Sequence, residues 1–315
     1  MSFDVLFPLF LAYGVLLVNG WTDAPNSIAT AVASKAISFR KASILCGLFN
    51  LFGVILACFI NTSVAEFVFT LGDLGGYAGV GISVVLLTMI LYGWISYLFG
   101  LPSSESHAMI TAIIGATYAI TGRLIGIKKA GDVFVFMIFS CILAFISSYL
   151  ARLVFRWRLP YKRLQIISCS LTSFMHGWQG GLKFIGIIAY LLGLKISNGK
   201  IPIFLMLSVG LTLLLGALIG SRRIIASMGE NLVEIGDTSA FSSDIGTYIS
   251  LLICSLLGMP VSTGNIKCLA IMGAGYCEKQ KINKKTAIKL FVSFIAVFPI
   301  CFFLSYFLMK LYLFF

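Results

Sequence analysis

The sequence predicts an all-α polytopic membrane protein made of two inverted-topology repeats, 1–157 and 158–315, whose broken or re-entrant helices meet at the bilayer midplane. Three observations predict it. Hydrophobic residues make up 59% of the 315-residue chain and charged residues 11%, whereas a soluble domain is about half apolar and a quarter charged. The apolar sequence is interrupted by the same pair of motifs in each half, in the same order. Basic residues gather in short links between apolar runs, in a pattern that alternates differently in the two halves.

Apolar runs near bilayer length, about 17–25 residues, recur at 42–60, 82–99, 133–151, 201–219 and 287–309, which leaves no stretch for a separate soluble domain. Met1–Asn19 has no basic residue before its first apolar run and no small-residue cleavage site, so it reads as a retained first helix rather than a removed signal. In the first half, Gly20-Trp21-Thr22-Asp23-Ala24-Pro25-Asn26 precedes Gly100-Leu101-Pro102-Ser103-Ser104, with 82 residues from Gly20 to Pro102. In the second, His176-Gly177-Trp178-Gln179-Gly180-Gly181-Leu182-Lys183 precedes Gly258-Met259-Pro260-Val261-Ser262, with 83 residues from Gly177 to Pro260. The repeat offset is therefore 157–158 residues, half of the chain.

The net charge of +12 would suit a nucleic-acid partner, but its placement is topological. Lys35, Arg40 and Lys41, Arg152 to Arg163, Arg222 and Arg223, and Lys279 to Lys285 mark links expected inside the cell. The 61–81 link carries Glu66 and Asp73 without a basic residue and is expected outside, as is 193–200. Following the crossings from link to link puts corresponding loops of the two halves on opposite faces, which is an inverted repeat. Arg123, Lys128 and Lys129 fall on the outer face as exceptions. The eight cysteines lie in or beside apolar runs without CxxC pairing and read as buried hydrophobes.

Non-helical backbone survives in a membrane only where protein or a polar cavity covers it. Proline removes a backbone donor, and a broken helix presents free amides at the start of the next half-helix, where an anion is favoured. The hydroxyls of Ser103, Ser104, Ser106, Ser262 and Thr263 add donors at the same depth. Four such ends meeting at the midplane would cage a small oxyanion. Glycine and serine also pack transmembrane helices closely, and a single pair would read that way; two matched pairs favour a binding site. Glu105 and His107 are candidates for proton handling, with helix capping the competing role for Glu105. His176 is expected to anchor its break by hydrogen bonding, and Trp21 and Trp178 to shape the cavity. A membrane hydrolase built on Ser104, Glu105 and His107 is the enzymatic rival, but one short stretch is poor spacing for a nucleophile and its base, so no enzyme is expected. A passive anion channel would need the same donors, and a non-transporting sensor is the third alternative.

The chain resembles the inorganic phosphate transporter (PiT) family at these points. That family carries a Gly-Ala-Asn-Asp-like motif near the start of each half and a Pro-Val-Ser-Thr-Thr-His-like motif near its end. They stand here as Asn19–Asn26, Leu101–His107, His176–Lys183 and Met259–Asn265, joined by the segment Gly229 to Asp244 and the Ile113–Ala116 and Ile271–Ala274 pair. The resemblance implies a secondary transporter of the cell (plasma or inner) membrane that imports phosphate with sodium or protons, with sulfate or another oxyanion as the alternative cargo. It implies anion-binding roles for Ser103, Ser104, Ser262 and Thr263, to which Gly177 and Lys183 are added as candidates. It implies ion and phosphate roles at Asp23 and Asn26, with sodium there; Thr22, Gln179, Glu105 and His107 complete the candidates for cation or proton coupling. No tightly bound cofactor is expected beyond the coupling sodium ion or proton. The expected partners are the anion, the lipid bilayer and a second copy in a homodimer, and no nucleic acid. Phosphate is preferred over sulfate because it can donate a hydrogen bond to Asp23 or Glu105.

Some positions depart from the family pattern. Its Asn-Asp pair is Thr22-Asp23 in the first half but Gln179-Gly180 in the second, so one carboxylate is gone; Asn265 stands where His107 has its twin. Lys183 fits the bacterial pattern. Lys267 sits in an otherwise apolar stretch; it either snorkels to an interface or supplies a fixed charge in place of a lost cation, which would make uptake less dependent on sodium.

Overall fold

A computed structural model describes residues 3–69, 74–155, 160–196 and 200–315. Asp73, Arg156, Arg158, the 157/158 repeat boundary and positions 197–199 of the outer link lie outside the described residues. The helices fall into two matching series. The first is α1 (Phe3–Thr22), α2 (Pro25–Ala33), α3 (Phe39–Ile60), α4 (Ser63–Phe69), α5 (Ala78–Leu98), α6 (Glu105–Thr121) and α7 (Ile127–Val154). The second is α8 (Tyr161–Leu191), α9 (Ile203–Ile219), α10 (Arg222–Ile225) continued by a π turn at Ala226–Glu230, α11 (Asp237–Leu256), α12 (Thr263–Cys277) and α13 (Lys284–Phe314). The α1–α2 pair corresponds to α8, and the later elements correspond in order. The apolar runs account for α3, α5, α7, α9 and α13. Among the described residues six helical runs are long and apolar enough to cross a membrane, or seven if Ile203–Ile219 and Arg222–Glu230, bent by 71°, count as one span.

The long helix missing from that set is α8, which is too polar. It can be polar because other helices surround it: α3, α11, α4 and α2 all pack against it. Its continuity corrects one expectation. His176–Lys183 is not a break; α8 runs unbroken through it. This stretch has no proline, and its glycines are taken up by close approach. A Cβ at Gly177 would lie 2.2 Å from the Asn50 carbonyl oxygen of α3, and one at Gly181 would lie 2.3 Å from Val54 Cγ2. This is small-residue helix packing. The first-half counterpart is interrupted, though mildly: Pro25 opens α2, and the Asp23 and Ala24 amides both turn back to the Asn19 carbonyl.

The halves interlock. α3 packs on α8 while its counterpart α9 packs on α1; α6 packs on α13 while α12 packs on α7. Inversion shows at the two hairpin tips. The α5–α6 tip turns at Gly100, with φ +63°; there Lys289 Nζ donates to the Phe99 carbonyl at 2.8 Å and Arg223 lies over the Tyr97 ring. The α11–α12 tip turns at Gly258, with φ +72°; there Asn61 Nδ2 donates to the Leu256 carbonyl at 3.2 Å and a Gly258 Cβ would touch Ser63. One tip thus sits among second-half bases and the other at the Asn61 end of α3. Arg152 paired with Glu278, and Ser34 Oγ donating to Gln165 Oε1 at 2.8 Å, tie the basic links together on one face. The protein is a multi-pass membrane protein of the expected class. All eight cysteines are free, most of them buried.

Candidate functional site

The two half-helices α6 and α12 begin at the centre of the bundle and meet head to head. A Cβ at Gly264 would lie 2.7 Å from Pro102 Cβ and 3.0 Å from Asn26 Nδ2, so only glycine permits this approach. Ser106 Oγ, in the first turn of α6, donates to the Val261 carbonyl at 2.8 Å, tying one half-helix to the break before the other. Ser262 caps α12, accepting from the Asn265 amide and donating to Asn265 Oδ1 at 3.2 Å. Ser104 stands at the cap position of α6, but its hydroxyl pairs with His107 Nδ1. Ser103 Oγ meets Thr22 Oγ1 at 3.0 Å. All these hydroxyls, and Thr263, are buried.

Charged groups line the same centre. Lys183 Nζ donates to Ser106 Oγ at 2.8 Å and lies within Coulombic range of Glu105 and Asp23. Glu105 accepts a hydrogen bond from Asn19 Nδ2. Asp23 Oδ1 accepts from Asn26 Nδ2 at 2.7 Å, and Asp23 Oδ2 is 3.7 Å from His176 Nε2. His176 Nδ1 pairs with Asn50 Oδ1 at 3.0 Å and so ties α8 to α3; the sequence expects it to anchor a break, and α8 has none at this point. Asn19 Oδ1, Asn26 Oδ1 and His176 Nε2 are buried with no hydrogen-bond partner among the described residues. No group of three His, Cys, Asp or Glu forms a metal cluster among the described residues; a sodium ion would instead draw on Asp23 and the free amide oxygens of Asn26 and Asn19.

Most expected site residues are buried and linked in pairs near the starts of α6 and α12: Thr22 with Ser103, Asp23 with Asn26, Ser104 with His107, and Lys183 within Coulombic range of Glu105 and Asp23, while Ser262 and Thr263 open α12. Two do not serve as expected. The Gly177 amide lies within the continuous α8 ladder, so it offers no free donor to an anion, and the residue's smallness serves the contact with Asn50. Gln179 turns to the α11–α12 break, donating to Ser255 Oγ at 2.9 Å and the Met259 carbonyl at 3.2 Å and accepting from the Val261 amide at 3.4 Å. Asn50 lies outside the motifs, and Asn19 opens one without an expected role; the place of Asn19 one helical turn before Asp23 is the available signal. Lys267 does not snorkel. It is 0% exposed and pairs with Asp244.

The profile of a family described as the phosphate transporter family matches residues 19–161 and again 156–305. A probable low-affinity inorganic phosphate transporter of Bacillus subtilis is 28% identical over 301 residues, covering 90% of this chain and 89% of that protein. One from Rhizobium meliloti is 30% identical over 308 residues, covering 89% of each. Among solved structures, "The sodium-dependent phosphate transporter" superimposes with a TM-score of 0.87 over 99% of both chains at 17% identity, which establishes a shared fold.

Proposed function

This chain belongs to the phosphate transporter family, and from that premise we propose that it is a secondary transporter importing inorganic phosphate across the cell membrane together with a cation, sodium or a proton. The names of its relatives support the cargo: the Bacillus and Rhizobium proteins are named as inorganic phosphate transporters, and the structural neighbour as sodium-dependent. In this reading Ser103, Ser104, Ser262, Thr263 and Lys183 supply donors to the anion, and the amides opening α6 and α12 add about half a positive charge each. Asp23, Asn26 and Thr22 serve the coupling cation, and Glu105 and His107 the proton balance.

The observation that carries the coupling is the charge at the centre. Asp23 and Glu105 stand against one lysine, Lys183. Phosphate added there would bring further negative charge into a dry interior, where an uncompensated ion costs several kcal/mol. A cation or proton entering with the anion offsets that cost, which an anion channel would have no means of doing. A protonated phosphate oxygen can also donate to Asp23 or Glu105, where sulfate would face a carboxylate without a proton to share.

The test is uptake of labelled phosphate into proteoliposomes under a sodium gradient, a proton gradient, both or neither. Accumulation above the external concentration under one of the gradients is expected. Equilibration without accumulation would make the protein a channel, and sulfate outcompeting phosphate at equal concentration would reassign the cargo.

A further inference from the structure

One turn from the central site towards the basic face lies a second charged cluster. Thr30 on α2 stands four residues past Asn26, and Lys267 on α12 four past Thr263. Lys267 Nζ and Thr30 Oγ1 both donate to Asp244 Oδ1, the threonine at 2.6 Å, and Ser168 Oγ of α8 donates to Asp244 Oδ2 at 2.9 Å. Lys267, Asp244 and Thr30 are 0% exposed and Ser168 is 1% exposed. The carboxylate thus joins four helices, and through Thr30 it joins the two repeats.

The fold does not require this cluster. Taking each residue to its partner in the other repeat, Asp244 corresponds to Leu86, Lys267 to Met109, Ser168 to Leu11 and Thr30 to Ile187, at offsets of 158 residues for the hairpin (Pro102 to Pro260) and 157 for the central helix (Gly20 to Gly177). All four partners are buried within one apolar cluster. The same junction is therefore built once from hydrocarbon and once from an ion pair. Replacing a buried pair by packed apolar groups is commonly neutral or stabilising, and ionisable groups at membrane depth mark ion pathways. The pair calls for a reason other than stability.

We propose that the ammonium group of Lys267 is the permanent cation of Asp244, a tethered charge standing where an exchangeable coupling ion would otherwise neutralise that carboxylate. The donor set fits a small monovalent cation: one carboxylate and two hydroxyl oxygens, whose protons rotate to suit the partner. An ammonium on a four-carbon stem is a compact positive charge that stays with the protein through each cycle. Thr30 can then leave Asp244 as α2 moves against the second repeat, without the carboxylate being left bare. The inference rests on the cation-coupled reading above and narrows it: the exchangeable ion belongs to the Asp23 and Asn26 centre, and Asp244 takes none.

The experiment compares purified wild type, Lys267→Met, and the double variant Lys267→Met with Asp244→Leu, which reproduces the Leu86 and Met109 arrangement of the other repeat. Melting in sodium chloride against choline chloride reads ion binding directly, and labelled phosphate uptake against sodium concentration reads coupling. Lys267→Met alone is expected to gain a sodium-dependent rise in melting temperature and a Hill coefficient for sodium higher by about one, with uptake in sodium-free medium falling at least about tenfold. The double variant is expected to keep the wild-type order in sodium, whatever its rate. A folded Lys267→Met protein with unchanged sodium dependence would overturn the proposal, as would a double variant with an added sodium requirement; the latter outcome decides even if the single variant does not fold. Absence of phosphate uptake by wild type under every gradient would instead remove the transport reading, while the melting comparison still reports on Asp244.

Discussion

His176 Nε2 of α8 stands 3.7 Å from Asp23 Oδ2 at the α1–α2 interruption, so the second repeat provides the ring that faces the first repeat's central carboxylate. Asn19 is the repeat counterpart of His176 and does the equivalent work, reaching Glu105 from the same position of its own helix. Each central helix therefore sets one polar side chain at the matched position toward a carboxylate, Asn19 by a hydrogen bond and His176 by proximity. His176→Ala is expected to raise the half-saturating concentration of the coupling cation about tenfold, the scale on which a polar group that orients an ion's ligand acts, with a smaller effect on maximal rate. His176→Asn should recover part of the loss. Uptake measured across a cation titration checks both.

Lys183→Met leaves Asp23 and Glu105 without their ammonium. Lys183 hydrogen-bonds Ser106 and lies within Coulombic range of both carboxylates without pairing directly with either; a buried charge with less compensation costs several kcal/mol, so a lower melting temperature and a weakened apparent phosphate affinity are expected. Adding Glu105→Gln should restore melting by relieving the surplus charge. It should not restore phosphate affinity, because the cationic donor is still missing. The two readouts, taken on the same preparations, separate stability from binding.

Gly177→Val should prevent folding of the bundle. Its Cβ would lie 2.2 Å from the Asn50 carbonyl, far inside contact, and overpacking alone costs about 1–3 kcal/mol. Gly131→Ala, in α7 with nothing within 4 Å of the added methyl, should be neutral or stabilising by up to about 1 kcal/mol. The yield of monodisperse protein in detergent distinguishes them.

Gln179→Leu removes the side chain that serves the unwound backbone at Met259 and Val261. A buried polar group left without a partner costs about 1–3 kcal/mol. Faster amide exchange confined to 257–262, with slower phosphate uptake, is the expected outcome; unchanged exchange there would assign Gln179 a different role.

The breaks at Pro25, Pro102 and Pro260 are legible in the sequence because a proline that cannot donate stands there among Gly, Ser, Thr or Asn; proline alone is not enough, since Pro8 and Pro299 lie inside the continuous α1 and α13. The stretch from His176 to Lys183 has no such signal. Its glycines read equally as a break or as a packing face, and what decides between them is Asn50 and Val54, more than a hundred residues earlier in the chain. The central charges were legible as types and not as pairs. Lys267 shows why: its partner Asp244 lies on the preceding helix, and only the turn at Gly258 folds the two together at a depth that hydropathy does not fix. Gln179 matches a coupling position in the family motif, yet α8 continues straight through it and aims it at the other break.

The interlocked packing of the halves also dictates an order of assembly. Gly53 of α3 is reserved for the α8 backbone, where its Cβ would lie 2.1 Å from the Phe174 carbonyl, and Gly47 for Leu214 of α9. Both partners are synthesised long after α3 enters the membrane. Until α8 and α9 emerge from the ribosome, α3 presents two bare seams to lipid or to insertion factors, so the first half cannot mature alone and folding must wait for translation of the second.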